Sequence, residues 1–129
     1  SDVCSSDLEV HYLAHTVEEW QYYWDIQSPN FKLSFTANHA HLVPEGVEGF
    51  VKALNFKRVH EVRLADCWRN GFEEHLVPGK GNMNFGKMFK LIEGAGFKGH
   101  YTNAFGTLDA MLAAREYFVK KAKAAGVKV

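Results

Sequence analysis

The stretch VRLADCWRNGFEEHLVPGKG, residues 62–81, gathers Arg63, Asp66, Arg69, Glu73, Glu74 and His75 behind a short apolar run. Guanidinium groups carry a fixed positive charge that forks onto oxyanions and carboxylates. Carboxylates and imidazoles exchange protons or ligate cations. A second group, NHAH, brings Asn38, His39 and His41 together. Histidines two apart can face one side of an extended segment and share a metal. Short histidine pairs are also common in loops, so a hydrogen bond from His39 to a substrate is the preferred reading. His100 shares a strand face with Thr102 and is a general acid–base candidate, because imidazole titrates near neutral pH. A histidine hydrogen-bonded within the core is the competing reading.

The remaining polar residues have plainer alternatives. Asp66 either orients Arg69 or His75, or caps the loop that follows it. The PGKG stretch, residues 78–81, is too short for a phosphate-binding P-loop, and its glycines suit a tight turn. Cys67 has no evident base partner and is not read as a nucleophile. Trp68 could stack on a substrate face or simply pack.

The elements that must position these residues alternate in type. Four apolar stripes have helical spacing: Val17, Trp20 and Trp24 behind the cap Thr16 with Glu19; Val47, Phe50, Val51 and Leu54; Phe85, Met88, Phe89 and Ile92 behind Asn84; and Leu108, Met111, Leu112, Phe118 and Val119 from Thr107 to before Gly126. Strands are expected at Glu9–Leu13, Lys32–Ala37, His60–Ala65 and Gly99–Thr102. The order βαβαβαβα argues for a parallel sheet with helical crossovers.

Leu33, Phe35 and Ala37 alternate with Ser34, Thr36 and Asn38, and Val62 and Leu64 alternate with Glu61 and Arg63. Helices must cover the apolar face, so the polar face looks inward, where a doubly wound sheet would need a second apolar layer. A barrel with its site on the loops after the strands fits better. A complete barrel of this type needs eight βα units and ~250 residues, so the expected fold is a partial (β/α)8 barrel, its four C-terminal units.

Composition bounds the function. With 47% hydrophobic residues in 129, the chain can bury one core, and 15 basic against 15 acidic residues leave no electrostatic case for nucleic acid or anionic lipid. No apolar run approaches the ~20 residues of a membrane helix and no secretory signal is visible, so the default location is cytoplasmic. The opening residues SDVCSSDL match the in-frame translation of a common sequencing adapter and are read as a non-native scar, with the native segment beginning in mid-protein at about Glu9 and running to residue 129. Without Cys4, Cys67 is alone and no native disulfide framework remains.

From Glu9 to about Arg115 the sequence resembles the C-terminal half of the sugar phosphate isomerase/epimerase family, with a xylose isomerase-like TIM barrel. The most specific stretch is HEVRLADCWRNGFEEHLVPGKGNMNFGKMFKLIEGAGFKG: a strand ending near Asp, a polar loop, Pro-Gly-x-Gly, an aromatic-led helix and Gly-Phe-x-Gly before the last strand. The resemblance implies proton transfer next to a carbonyl through an enediol, on a small polyhydroxylated substrate. It implies a divalent cation (Mn, Mg, Zn or Co) held by Glu, Asp, His and Glu at successive strand ends. Glu9 matches the first ligand. Thr36 stands at the Asp, Arg63 at the His, and Asn103 or Ala104 at the last Glu, so three of the four ligand positions are replaced.

His39 and Arg69 match residues that contact substrate, with Asn38 and Asp66 beside them. Glu9, Arg63 and His100 are then the catalytic candidates: Glu9 as base or residual ligand, Arg63 as an electrophile replacing the cation. The alternative for Arg63 is a simple pairing with Glu61. Glu73 and His75 echo an acidic-x-His element with which related apurinic-site endonucleases hold an additional zinc, which makes His75 a second metal candidate; the alternative is a solvated charged loop. A dehydratase or hydrolase on the same barrel, or a binding protein without the metal, are the other functional readings. Half a barrel alone is expected to be inactive, with open sheet edges that favour pairing with a second copy.

Overall fold

A computed structural model describes residues 7–8, 16–26, 28, 30–103 and 106–129. Ten elements follow in order: β1 (Asp7–Leu8), α1 (Val17–Trp24), β2 (Lys32–Thr36), α2 (Ala37–Leu42), α3 (Gly46–Ala53), a 3-10 turn (Phe56–Arg58), β3 (Val59–Leu64), α4 (Phe85–Gly94), β4 (His100–Asn103) and α5 (Leu108–Ala124). The strands form one sheet in the order β1-β2-β3-β4, every pairing parallel. Sequential order with parallel pairing requires each crossover to take the same hand, so successive helices cover the same face. A doubly wound sheet would reverse its strand order; this one does not.

The helix starts follow the side chains that can satisfy their first amides. Thr16 and Glu19 form a reciprocal capping box at α1, the Asn84 amide oxygen accepts from Lys87 N at 3.0 Å, and the Thr107 hydroxyl accepts from Ala110 N at 3.3 Å. Behind the caps of α1 and α4, Trp20, Trp24, Phe85, Met88, Phe89 and Ile92 are buried with Phe50 of α3 and with Leu33, Phe35, Val62 and Leu64 in one apolar cluster. In α5 the buried stripe is Ala114, Phe118 and Ala122, while Leu108 and Leu112 face solvent. Phe118 meets Phe85 edge to face at 4.9 Å, so alanines on either side let α5 approach α4 closely.

Two differences from the sequence expectation bear on the site. The first strand described is Asp7–Leu8, in register with Lys32 and Leu33, whereas the expected Glu9–Leu13, including Glu9 itself, lies outside the described residues. The chain also turns helical directly after β2: Ala37–Leu42 is α2, with Ala37 and Ala40 fully buried. On a helix, residues two apart point to nearly opposite sides. An extended segment presenting His39 and His41 together is therefore corrected: His41 bonds the Asn82 amide oxygen at 2.9 Å, while His39 turns toward Glu73.

Candidate active site

The polar sides of the strands meet in two cross-strand rows. Register sets Ser34 beside Glu61 and Glu61 beside His100; one step along, Thr36 lies beside Arg63 and Arg63 beside Thr102. The Ser34 hydroxyl donates to Glu61 Oε2 at 2.9 Å, and Arg63 Nε donates to the same oxygen at 3.1 Å. His100 Nε2 stands 3.8 Å from Glu61 Oε1. One carboxylate thus joins a hydroxyl, a guanidinium and an imidazole contributed by three strands. Leu33, Phe35, Val62 and Leu64 are packed in the apolar cluster with the helices, and Ser34, Glu61 and Arg63 occupy the opposite side. Parallel pairing and this division of faces agree with the sequence pattern.

A second group forms in the segments following the strands. His39, on α2, approaches Glu73 Oε1 at 3.2 Å, and its ring centroid lies 5.7 Å from that of His75. Ligand atoms of His39, Glu73 and His75 all fall within 4.8 Å of one another. The loop holding Glu73 and His75 is fixed by an antiparallel bridge between Asp66 and Leu76, with N–O distances of 3.0 and 2.9 Å. The Asn38 amide also donates to Glu74 O at 3.3 Å.

Asp66 anchors this loop from below. Its buried carboxylate accepts from Cys67 N at 2.9 Å, Gly79 N at 2.8 Å, Gly81 N at 3.0 Å and Met83 N at 3.2 Å. A side chain at Gly81 would run into the Cys67 carbonyl and the Asp66 carboxylate, and Gly79 has φ +90. The PGKG turn is therefore glycine-rich because its backbone must close onto one carboxylate. With four N–H donors on its two oxygens, Asp66 organises the loop's backbone.

The Arg69 guanidinium donates to Pro44 O at 2.7 Å and lies over Gly46. It lines a cleft of about 450 Å³ with His41, Glu45, Asn82 and Lys87, beside α3 and α4. Cys67 is buried, its thiol pushed up to about 12 by burial and then by the Asp66 and Glu74 charges, so it stays protonated. Trp68 and Phe72 of the same loop are exposed. No helix among the described residues is long and apolar enough to cross a membrane.

Solved structures with this arrangement include a D-tagatose 3-epimerase-like protein, matched with TM-score 0.76 and 23% identity over 93% of this chain and 46% of that one. A D-allulose 3-epimerase from Methylomonas sp. matches with TM-score 0.65 and 19% identity, over 89% of this chain and 48% of that one. The fold is that of half a TIM barrel. The chain spans about half the length of these solved structures. No family model matches the sequence, and no curated protein matches it.

Among the described residues, the strand-end positions named by the sequence resemblance do not assemble a cation site. Arg63 has only donors and cannot ligate a cation. Thr36 is buried, and its hydroxyl has no hydrogen-bond partner among the described residues. Asn103 donates its amide to Met111 O at 3.0 Å, and Ala104 and Glu9 lie outside the described residues. Of the sequence candidates, the structure joins Arg63 and His100 through Glu61, and brings His39 to His75; it carries Arg69 away to the α3–α4 cleft. Glu61 is the residue whose importance the sequence understated. Its signal was the charge alternation Glu61, Arg63 on the polar face of a strand.

Proposed function

We propose that this half-barrel belongs to an isomerase or epimerase that moves a proton next to a carbonyl of a small polyhydroxylated substrate. The supporting observation is the network of Ser34, Arg63 and His100 around the Glu61 carboxylate, on the polar side of a sheet whose fold matches sugar 3-epimerases. In such a reaction a base removes the proton from carbon, the electron pair moves onto the carbonyl oxygen, and reprotonation at the other face inverts the centre. Arg63 supplies a fixed cationic donor for the oxyanion. Glu61 holds the guanidinium through Nε and keeps the local charge balanced. His100 carries the proton on this side; Glu9 is the proton carrier expected from the residues outside those described. His39, Asn38, Asp66 and Arg69 are the residues proposed near substrate, with Asp66 acting through the loop it binds and Arg69 from the α3–α4 cleft.

The replaced ligand positions favour one second reading, a binding protein that keeps the sugar site without turnover. Hydrogen exchange in D2O separates the two, followed by NMR at the carbon next to the carbonyl. D-tagatose and D-allulose serve as probes, in a protein carrying this chain together with the other half of its barrel. Exchange that falls by a factor of about 10² or more in Arg63→Met and in His100→Gln supports the isomerase. Sugar binding without exchange, or exchange indifferent to both substitutions, overturns it.

A further inference from the structure

We infer that His39, Glu73 and His75 form a binding site for one borderline divalent cation, of which Zn²⁺ is the representative, separate from the strand-end positions. Two imidazoles and one carboxylate converge with their ligand atoms inside 4.8 Å. Zinc–nitrogen and zinc–oxygen bonds of ~2.0–2.2 Å put neighbouring ligand atoms of a tetrahedral site at ~3.3–3.6 Å apart. One of the pairs, His39 Nε2 and Glu73 Oε1, is already at 3.2 Å. Glu73 and His75 are exposed, so their side chains can turn the remaining ångström without moving the core, whereas His39 is buried and fixed on α2.

The backbone around the group is organised before any ion arrives. Asn38, adjacent to His39, bonds the carbonyl of Glu74, the residue between the other two ligands. The Asp66–Leu76 bridge sets the direction of the segment that carries them. Two segments 34 positions apart in sequence (39 to 73) are thereby held at ligand distance by bonds independent of the ligands themselves. Nitrogen ligands select zinc-like ions over magnesium or calcium, which prefer all-oxygen shells. Three protein ligands leave one position for water or a substrate oxygen. A bound cation would also pin the loop after β3 onto α2.

The test is calorimetric titration of the metal-stripped 129-residue chain with Zn²⁺, and with Co²⁺ for its visible absorption. One site of tetrahedral Co²⁺ signature is expected. Loss of a direct ligand should cost at least the ~10–100-fold that outer-shell changes cost, so Glu73→Gln and His75→Gln should each weaken binding by that factor or more. Both positions are exposed, so folding should survive, and circular dichroism checks that it does. His41→Gln, on the other side of α2, should bind as the parent does. No binding, or binding that is unchanged in both Glu73→Gln and His75→Gln, overturns the site and leaves His39–Glu73 as an ordinary ion pair.

Discussion

The Ser34 hydroxyl reaches across the β2–β3 seam to Glu61 Oε2 at 2.9 Å, the same oxygen that receives Arg63 Nε. Ser34 is fully buried and Glu61 nearly so, which makes this carboxylate expensive to leave unpaired. Its partners offset that cost: a hydroxyl from one strand, a guanidinium from its own, and an imidazole at 3.8 Å from the next.

Glu61→Gln should therefore destabilise through Arg63 rather than through lost packing. The amide still accepts from Ser34, but the guanidinium loses its counter-charge, at a cost of about 1–3 kcal/mol for a partly buried pair. Ser34→Ala should cost only about 1 kcal/mol. Urea midpoints of both variants and their double mutant measure the coupling; a double mutant equal to the sum of the singles would mean that the shared oxygen is unimportant.

Asp66→Asn should loosen the loop without disturbing the sheet. The carboxylate accepts four backbone N–H groups, and an amide can accept on one side only, so two of the four donors lose their partner. A loss of about 2–4 kcal/mol follows from charged hydrogen bonds of ~1.5–3 kcal/mol each with partial replacement by water. Amide hydrogen exchange at Gly79, Gly81 and Met83 should accelerate ahead of exchange in β3 and α4.

Much of this fold was legible because it is written locally. Thr16 with Glu19, Asn84 and Thr107 announce helix starts within three or four residues, and the alternation of Glu61 and Arg63 with Val62 and Leu64 divides the faces of β3. The six-residue α2 was not legible. Its histidines and asparagine are indifferent helix formers, and it forms because Ala37 and Ala40 bury completely, a tertiary cause. The site suffered from the same limit. Sequence proximity pairs His39 with His41 and Glu73 with His75; the fold separates the first pair around a helix and joins His39 to the second across the Asp66–Leu76 bridge. Arg69 likewise follows its loop to Pro44, a partner that no local pattern indicates.

Cys67 should resist alkylation in the folded chain. Burial raises its thiol to about 12, with the Asp66 and Glu74 charges adding to the shift, so almost no thiolate exists at pH 8. Its Sγ also donates to Asn38 O at 3.4 Å. Iodoacetamide labelling of the Cys67 peptide, read by mass spectrometry, should be negligible in buffer and complete in urea. Native labelling at the unfolded rate would mean that the loop after β3 opens readily.

Glu48 gives a pH signature confined to the outer surface. Its hydrogen bond to Lys87 at 2.6 Å, then that to Lys52 at 2.9 Å, hold the carboxyl down from 4.5 to about 2. A depressed folded-state value means that the unfolded chain takes up the proton first, so the contribution is complete above about 4.5 and disappears as pH falls toward about 2. The pairs lie at the surface, where salt screens them, so the effect should be small. Thermal midpoints of the parent chain and Glu48→Gln should differ slightly at pH 7 in low salt, with the parent higher. The difference should shrink between pH 4.5 and pH 2 and also in 1 M salt. A difference that persists at pH 2 would place its origin in helix propensity at α3 instead of charge pairing between α3 and α4.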